Sequence, residues 1–245
     1  MGTKINDDAN VAVIGSSGAI GAACVRQLAG RVTAGKIYAF SRSLANFNLS
    51  NVIEAHIDVE HESSIEVAAN SIPIDVKLDW IIVALGVLHD GELKPEKALR
   101  DLSVEKFQRL FSINAIGPAL VAKYFLPRLH RDGPTLFAAM SARVGSITDN
   151  RLGGWYAYRA SKAALNMIIR NISIEMRRQN SQSVIVGLHP GTVDSKLSAP
   201  FQKNVPAAQL FTADHSATQL LEVMDSLGPE DSGHAYAYDG KLIDP

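Results

Sequence analysis

Short hydrophobic runs alternate with longer amphipathic stretches along the chain, and this alternation constrains the fold more than any other feature. The runs are rich in β-branched and aromatic residues, and they predict strands at residues 10–15, 36–41, 52–58, 78–84, 134–140, 183–189 and 235–238. The stretches between them predict helices at about residues 19–29, 63–70, 104–129, 157–178 and 213–226. Because strand–helix alternation is typical of a parallel sheet with helices on both faces, the sequence predicts a doubly wound α/β fold.

The 245 residues contain no charge block, proline-rich tract or Ser/Gly linker, so we expect one domain over residues 1–245. Within it, Gly117-Pro118 should kink or break the helical pattern 104–129, because proline removes a helix hydrogen bond. The segment 191–212 contains two prolines and has little periodicity. We expect this segment to form a loop or lid over the substrate.

Composition excludes several classes of function. With 24 basic and 25 acidic side chains, the chain has no broad attraction for nucleic acid or anionic lipid. The longest apolar run, 80–88, is about half the length needed to cross a bilayer, so we expect no membrane partner. The single Cys24 and a polar start at residues 1–8 favour a cytoplasmic protein. None of the seven histidines forms a His-x-x-x-His pair, so the sequence predicts no metal site.

A glycine-rich turn, Gly15-Ser16-Ser17-Gly18-Ala19-Ile20-Gly21, lies directly between the first predicted strand and helix. Glycines here allow a tight turn and a close approach of the backbone to a pyrophosphate, and the helix N-terminus offers free N–H groups. The alternative is a turn without a ligand. The position after the first strand favours a dinucleotide site made by Gly15, Ser17, Gly18, Ile20 and Gly21.

Residues at the ends of the second and third predicted strands bear on the choice of dinucleotide. NAD sites usually have an acidic residue after the second strand, whereas an arginine there accommodates the 2′-phosphate of NADP. Ser41 and Arg42 therefore favour NADP(H) over NAD(H), the alternative being a solvated arginine in a loop. Asp58 either receives the adenine amino group or caps the next helix.

Tyr158 and Lys162 are four residues apart in a helical pattern, which puts phenol and ammonium on one face. At about 4 Å and an effective dielectric of about 20, a unit charge contributes about 4 kcal/mol. That energy corresponds to a downward shift of about three pKa units for a phenol. The pair therefore predicts a tyrosine that exchanges protons near neutral pH, while Tyr156 has no lysine at this offset.

Several motifs occur in the order and approximate spacing of the short-chain dehydrogenase/reductases, which the chain resembles from about residue 10 to residue 240. They are the glycine-rich turn, Ser41-Arg42, Asn114, Ser141, the Tyr158/Lys162 pair and Pro190-Gly191-Thr192. The stretches 86–89, 145–150 and 156–162 look more narrowly like Sniffer-type carbonyl reductases and the signalling protein C-factor.

The resemblance implies a seven-stranded parallel sheet, NADP along the carboxyl ends of the strands, and hydride transfer between the cofactor and a carbonyl or alcohol carbon. It implies that Tyr158 is the general acid or base and that Lys162 lowers its pKa and holds the ribose. It further implies that Asn114 positions a water and that Ser141 binds the substrate oxygen. Further cofactor contacts are implied at Ala84, Gly86, Pro190, Gly191 and Thr192.

The chain departs from the family pattern in three places. Ala19 replaces the glycine nearest the helix start, and Ala84-Leu85-Gly86 replaces the usual Asn-Ala-Gly, which should cost stability. Ala142 occupies the position of the serine that binds the substrate oxygen. Because neighbouring residues of a strand face opposite sides, Ser141 can serve only if the strand has ended or bulged there. Ser146 is the second alternative, and a site without this serine is the third.

Other residues carry weaker expectations. His89 follows a predicted strand end and either touches substrate or lies on the surface, and Trp155 and Phe201 either line the pocket or pack in the ordinary way. The apolar faces of 104–129 and 157–178 predict a homodimer or homotetramer. We expect a reductase of small ketones, aldehydes or quinones. The alternative is a signalling or regulatory protein that binds the dinucleotide with little turnover.

Overall fold

The structure is a computed structural model, and it describes residues 3–91 and 93–245. The strands are β1 (Val11–Ile14), β2 (Ile37–Ser41), β3 (Val52–His56), β4 (Trp80–Val83), β5 (Thr135–Met140), β6 (Ser183–His189), β7 (Thr192–Val193), β8 (Leu210–Phe211), β9 (Ala235–Ala237) and β10 (Leu242–Ile243). The helices are α1 (Ala19–Arg31), α2 (Glu62–Asn70), α3 (Val104–Phe111), α4 (Gly117–Phe125), α5 (Tyr156–Gln179) and α6 (Ala213–Ser226).

One eight-stranded sheet organises the described residues, in the order β10-β9-β6-β5-β4-β1-β2-β3. All neighbours in it are parallel except β10, which runs antiparallel to β9. The doubly wound fold is confirmed. The predicted seven-stranded sheet gains β10, because a turn at Gly240 (φ +76°) returns the chain along β9. A two-residue strand has no periodic pattern from which it could be predicted.

The strand order reverses between β1 and β4. The chain builds β1, β2 and β3 towards one edge and then crosses to the other side of β1 to begin β4. In open α/β sheets, ligands bind in the crevice outside the carboxyl ends of the strands at such a reversal. The glycine-rich turn after β1 and the loop after β4 therefore face the same crevice.

Two hydrophobic layers hold the sheet in place. One lies between the sheet and helices α1 and α6, with Leu28 and Leu220 fully buried. The other lies between the sheet and α2, α4 and α5, where Phe40 and Phe125 meet edge to face at 5.4 Å. Burying side chains of this size contributes about 1.5–3 kcal/mol each, so the sheet is a rigid platform for the residues at its carboxyl edge.

The predicted interruption at Gly117-Pro118 is a widened turn within a continuous helical stretch. Residues Ser112–Ile116 form a π-helical turn between α3 and α4, and the Gly117 N–H donates to the Ser112 carbonyl five residues back. The wider turn accommodates Pro118, which has no N–H to donate. Among the described residues, Val104–Arg128 is long and apolar enough to span a membrane by length and composition alone; its second half, α4, packs on the sheet, and α3 contributes Leu110 to the cluster with Tyr158.

The 191–212 segment leaves and rejoins the fold at one point. Its ends form the parallel pair β7–β8, and two 3₁₀ turns, Ala199–Asn204 and Ala207–Gln209, lie between them. Leu197 and Phe201 from this segment belong to a hydrophobic cluster with Tyr158 of α5. The segment therefore covers the carboxyl end of the sheet beside α5.

Candidate active site

The glycine-rich turn forms a tight cradle between β1 and α1. Gly15 has φ +87°, and a Cβ there would lie 2.5 Å from the Ala84 carbonyl oxygen, while a Cβ at Gly21 would lie 2.2 Å from the Gly15 oxygen. Within residues 15–31, no side chain caps the start of α1 and its first turn has no acidic residue.

An unpartnered hydroxyl supports the cradle as an anion site. Ser16 Oγ is buried and has no hydrogen-bond partner in the described part of the chain. Ser17 and Gly18 are exposed above it, and Ile20 is half-buried. Free N–H groups at a helix start, with an unused hydroxyl beside them, fit the phosphates of a dinucleotide.

The predicted specificity residues lie at the ends of the adjacent strands β2 and β3. The Ser41 hydroxyl donates to the Ser43 carbonyl at 2.7 Å, and Arg42 is exposed. The Asp58 carboxylate accepts from the Glu60 N–H at 3.1 Å, in the turn that precedes α2. Asp58 thus caps this turn and not the helix itself.

Tyr158 and Lys162 lie in the first two turns of α5, as their spacing predicts. The Lys162 Nζ donates to the Met140 carbonyl at 2.7 Å and lies 6.0 Å from the centre of the Tyr158 ring. A Cβ placed on Gly86 would lie 3.6 Å from Lys162 Nζ and 3.9 Å from Asn114 Oδ1. The loop after β4 therefore meets the lysine and the asparagine at one point of the crevice.

The protonation equilibria of this pair differ from the sequence expectation. Burial raises the pKa of Tyr158 to about 12 and lowers the pKa of Lys162 to about 7. The predicted lowering of the Tyr158 pKa is not found in this structure, because burial desolvates the phenol and raises its pKa instead. A phenol with this pKa carries its proton at neutral pH, which is the state required of a proton donor.

Asn114 projects from the π-helical turn and binds the loop after β4. Its Oδ1 accepts from the Val87 N–H and its Nδ2 donates to the Val87 carbonyl, both at 2.8 Å. The same Nδ2 lies 3.1 Å from the Ser161 hydroxyl, which donates to the Tyr158 carbonyl. Asn114 thus joins the loop to α5, and its implied role towards a water stays a prediction.

Ser141 lies beyond the end of β5, which is the condition under which it could bind a substrate oxygen. Its hydroxyl, however, donates to Asn166 Oδ1 at 2.6 Å, one helical turn past Lys162. The next residue, Ala142, packs against the apolar cluster that contains Tyr158. The Ser146 hydroxyl accepts from the Asp149 N–H at 3.1 Å. The structure therefore engages both candidate hydroxyls, those of Ser141 and Ser146, with other protein groups.

Pro190, Gly191 and Thr192 carry the chain from β6 into the 191–212 segment. The Pro190 carbonyl accepts from the Ser216 hydroxyl at 2.8 Å, and Thr192 opens β7. Gly191 has φ +75°, and a Cβ there would lie 2.7 Å from the Phe211 ring. The conformation of this turn therefore requires glycine.

Apolar side chains surround the phenol. Trp155 lies 6.2 Å from the Tyr158 ring and 5.0 Å from the Phe201 ring, between ring centroids. The other members of this cluster are Val87, Leu88, Leu93, Phe107, Leu110, Ala142, Val144, Ala157 and Leu197. Trp155 and Phe201 therefore belong to the apolar cluster that buries Tyr158, which is 7% exposed, and whether they also line a substrate pocket stays a prediction.

Glu96 supports the site, although the sequence analysis did not single it out. It is fully buried, its Oε2 accepts from the Ala157 N–H at 3.3 Å, and its carbonyl accepts from the Trp155 N–H at 2.6 Å. Within residues 155–179, no side chain caps the start of α5. Because the cap comes from a distant loop, no local motif indicates it. Among the described residues, no group of three or more His, Cys, Asp or Glu side chains is arranged to hold a metal ion.

The fold and this group of residues at the switch point define a doubly wound α/β oxidoreductase. Residues 9–206 match the family described as short chain dehydrogenase, and the chain belongs to this family. The predicted family resemblance is thus confirmed.

Two curated proteins are similar to this chain in sequence. The chain is 38% identical to C-signal of Myxococcus xanthus over 146 residues, which cover 60% of this chain and 82% of that protein. It is 32% identical to 1-hydroxy-2-glutathionyl-2-methyl-3-butene dehydrogenase of Rhodococcus sp. (strain AD45) over 193 residues, which cover 78% of this chain and 79% of that protein. The family thus contains proteins named for signalling and for dehydrogenation.

Two solved structures share the fold. The NADPH-bound carbonyl reductase from chicken fatty liver superimposes with a TM-score of 0.84 at 23% identity, covering 99% of this chain and 96% of that one. The carbonyl reductase Sniffer of D. melanogaster superimposes with a TM-score of 0.83 at 21% identity, covering 98% of this chain and 100% of that one. The shared fold extends over the whole sheet.

Proposed function

We propose that the protein is an NADPH-dependent carbonyl reductase that acts on small ketones, aldehydes or quinones. The observation that carries this proposal is that Lys162 and Asn114 meet at Gly86, with Lys162 Nζ 6.0 Å from the centre of the Tyr158 ring. This group lies in the crevice into which the glycine-rich turn also faces. Binding alone would not require a proton donor there, so the group favours catalysis.

The residues that would hold the dinucleotide follow the carboxyl edge of the sheet. The glycine-rich turn would bind the pyrophosphate, Arg42 the 2′-phosphate and Asp58 the adenine amino group. The remaining contacts are Ser41, Ala84, Gly86, Pro190, Gly191 and Thr192. When bound, the nicotinamide supplies the hydride, and the protein supplies orientation and charge. Solved relatives with bound NADPH and NADP support the choice of cofactor.

Tyr158 would donate its phenolic proton to the substrate oxygen as hydride adds to the carbonyl carbon, which yields the alcohol. Lys162 would hold the ribose and, when protonated, stabilise the phenolate left behind. Asn114 would position a water that returns the proton from solvent. The apolar walls exclude other water from the reacting atoms.

For the serine position, the contact between Ser141 and Asn166 favours a site in which no serine binds the substrate oxygen. Ser141 would take that role only by exchanging Asn166 for the substrate. Turnover of Ser141→Ala and Ala142→Ser distinguishes the two arrangements. If no serine binds the substrate oxygen, Ala142→Ser raises kcat about tenfold and Ser141→Ala changes kcat little. If Ser141 binds the substrate oxygen, Ser141→Ala lowers kcat at least about 100-fold.

The main experiment measures NADPH oxidation over a panel of carbonyl compounds for the wild type, Tyr158→Phe and Tyr156→Phe. General acid catalysis contributes about 10²–10⁴-fold, so Tyr158→Phe should lose at least about 100-fold in kcat and keep its affinity for NADPH. Tyr156→Phe is the matched control and should retain activity. If the wild type binds NADPH and reduces none of the compounds, the regulatory alternative replaces this proposal.

The likeness to C-signal favours that alternative as a second candidate function, in which the dinucleotide is a structural or sensing ligand. We also propose a cytoplasmic homodimer or homotetramer. Ile116 of the π-helical turn and Met167 and Ile174 of α5 are exposed apolar side chains on the two helices expected to pack between subunits. Sedimentation equilibrium tests the assembly, and cell fractionation tests the location.

A further inference from the structure

The loop after β4 is a fixed wall of the site. Asn114 binds both the N–H and the carbonyl of Val87 at 2.8 Å, and Asn114 itself is fully buried. The next residue, Leu88, is buried in the apolar cluster that contains Tyr158, and His89 follows it. A side chain at position 89 is therefore attached to a rigid part of the molecule.

His89 binds the backbone of the segment on the opposite side of the site. Its Nε2 lies 3.0 Å from the Lys196 carbonyl oxygen and 3.1 Å from the Leu197 carbonyl oxygen. Because both partners are acceptors, Nε2 carries the hydrogen and donates to them. The imidazole also meets the Phe201 ring at 5.8 Å between centroids. His89 thus contacts three residues of the 191–212 segment, Lys196, Leu197 and Phe201.

The part of the segment held in this way covers the phenol. Leu197 and Phe201 belong to the cluster with Tyr158, and the Trp155 ring packs against both the Phe201 ring and the Tyr158 ring. The ends of the segment are joined at the β7–β8 pair, so the residues between them can move without disturbing the sheet. The position of Leu197 and Phe201 therefore depends on contacts made away from the β7–β8 pair.

We propose that His89 is a latch that holds the 191–212 segment closed over Tyr158. His89 is a positioning residue, since it acts through Leu197 and Phe201. It donates from the fixed loop to the moving segment, and substrate enters when these hydrogen bonds break. The relevance of the latch to catalysis rests on the proposed function, but the closure itself does not.

Limited trypsin digestion tests the latch directly, because one of the carbonyls that His89 binds belongs to the Lys196–Leu197 peptide bond that trypsin cleaves. His89→Phe keeps an aromatic ring against Phe201 and removes the donor. His89→Gln restores a donor at nearly the same place. His234→Phe is the matched control, since that exposed imidazole makes one 3.3 Å contact with the Asp231 carbonyl, away from the segment.

Cleavage after Lys196, measured by mass spectrometry with and without NADPH, should be about fivefold faster in His89→Phe, as expected for the loss of a neutral hydrogen bond. His89→Gln should return most of the way to the wild-type rate, and His234→Phe should match the wild type. Cleavage within α5 should stay unchanged in every variant, because it reports unfolding of the whole domain. Equal rates after Lys196 in the wild type and His89→Phe overturn the latch, and so does a His89→Gln rate equal to that of His89→Phe.

Carbonyl reduction measured on the same proteins separates this inference from the proposed function. His89→Phe should show a raised KM for the carbonyl substrate with a smaller change in kcat, because Leu197 and Phe201 would no longer enclose the substrate. If the cleavage rates follow the latch and no protein reduces a carbonyl, the latch stands and the proposed function fails. If the wild type is active and the cleavage rates are equal, the latch fails alone.

Discussion

Replacing Lys162 by methionine should remove a pH dependence of stability that the buried amine imposes. The pKa of Lys162 is lowered from 10.5 to about 7 by burial. Between these two values the unfolded chain binds more protons than the folded one, so the stability of the wild type rises with pH. Each pKa unit corresponds to about 1.4 kcal/mol. The lysine therefore costs about 4 kcal/mol of stability at pH 7 and about 2 kcal/mol at pH 9.

The free energy of unfolding, measured in urea at pH 7, 8 and 9, tests this reasoning. The wild type should gain about 2 kcal/mol from pH 7 to pH 9 relative to Lys162→Met. Methionine also loses the hydrogen bond to the Met140 carbonyl, but that loss does not vary with pH. Cys24, whose pKa burial raises to about 12, lowers stability as pH rises above about 9 in both proteins, so its effect cancels in the difference. Equal pH dependence in the two proteins would refute a buried, desolvated amine.

Two further substitutions test the cradle and the choice of cofactor. Arg42→Ala should weaken NADPH binding about 10- to 150-fold with little change for NADH, as expected when a charged hydrogen bond is lost; equal losses in two titrations contradict the assignment. Gly15→Ala should lower the free energy of unfolding by about 3 kcal/mol, since it adds a clash with the Ala84 carbonyl to the strain of a positive φ. Gly133→Ala, which has φ +97° and open space around its Cβ position, should lose only about 1 kcal/mol in the same unfolding assay.

The sequence carried the information for the sheet and for the Tyr158/Lys162 face, because both rest on local periodicity. Buried parallel strands are continuous hydrophobic runs, and a spacing of four places two side chains on one helical face. The pair Gly117-Pro118 also marked the disturbed helix that carries Asn114, although its form, a π-helical turn, depends on how the helix packs.

The features of the site that the local sequence pattern did not predict depend on contacts between segments far apart in the chain. The partner of Ser141 is Asn166, 25 residues away, and the cap of α5 is Glu96, 61 residues before Ala157. The predicted direction of the Tyr158 pKa shift differs from that in the structure for a related reason. Helical spacing fixes how near Lys162 is, but it does not fix burial or the Met140 carbonyl that binds the amine.

The cap that Glu96 provides makes the orientation of α5 depend on a chain connection outside that helix. Lengthening or shortening the chain between Val83 and Glu96 would move the first turn of α5, and the phenol with it, without altering any residue of the helix. In the proposed reductase, a displacement of the phenol by about 1 Å would reduce turnover about 100-fold, so the length of this connection would matter for activity as much as the identity of residue 158. A loop grafted in place of this connection would have to keep Glu96 at the start of α5.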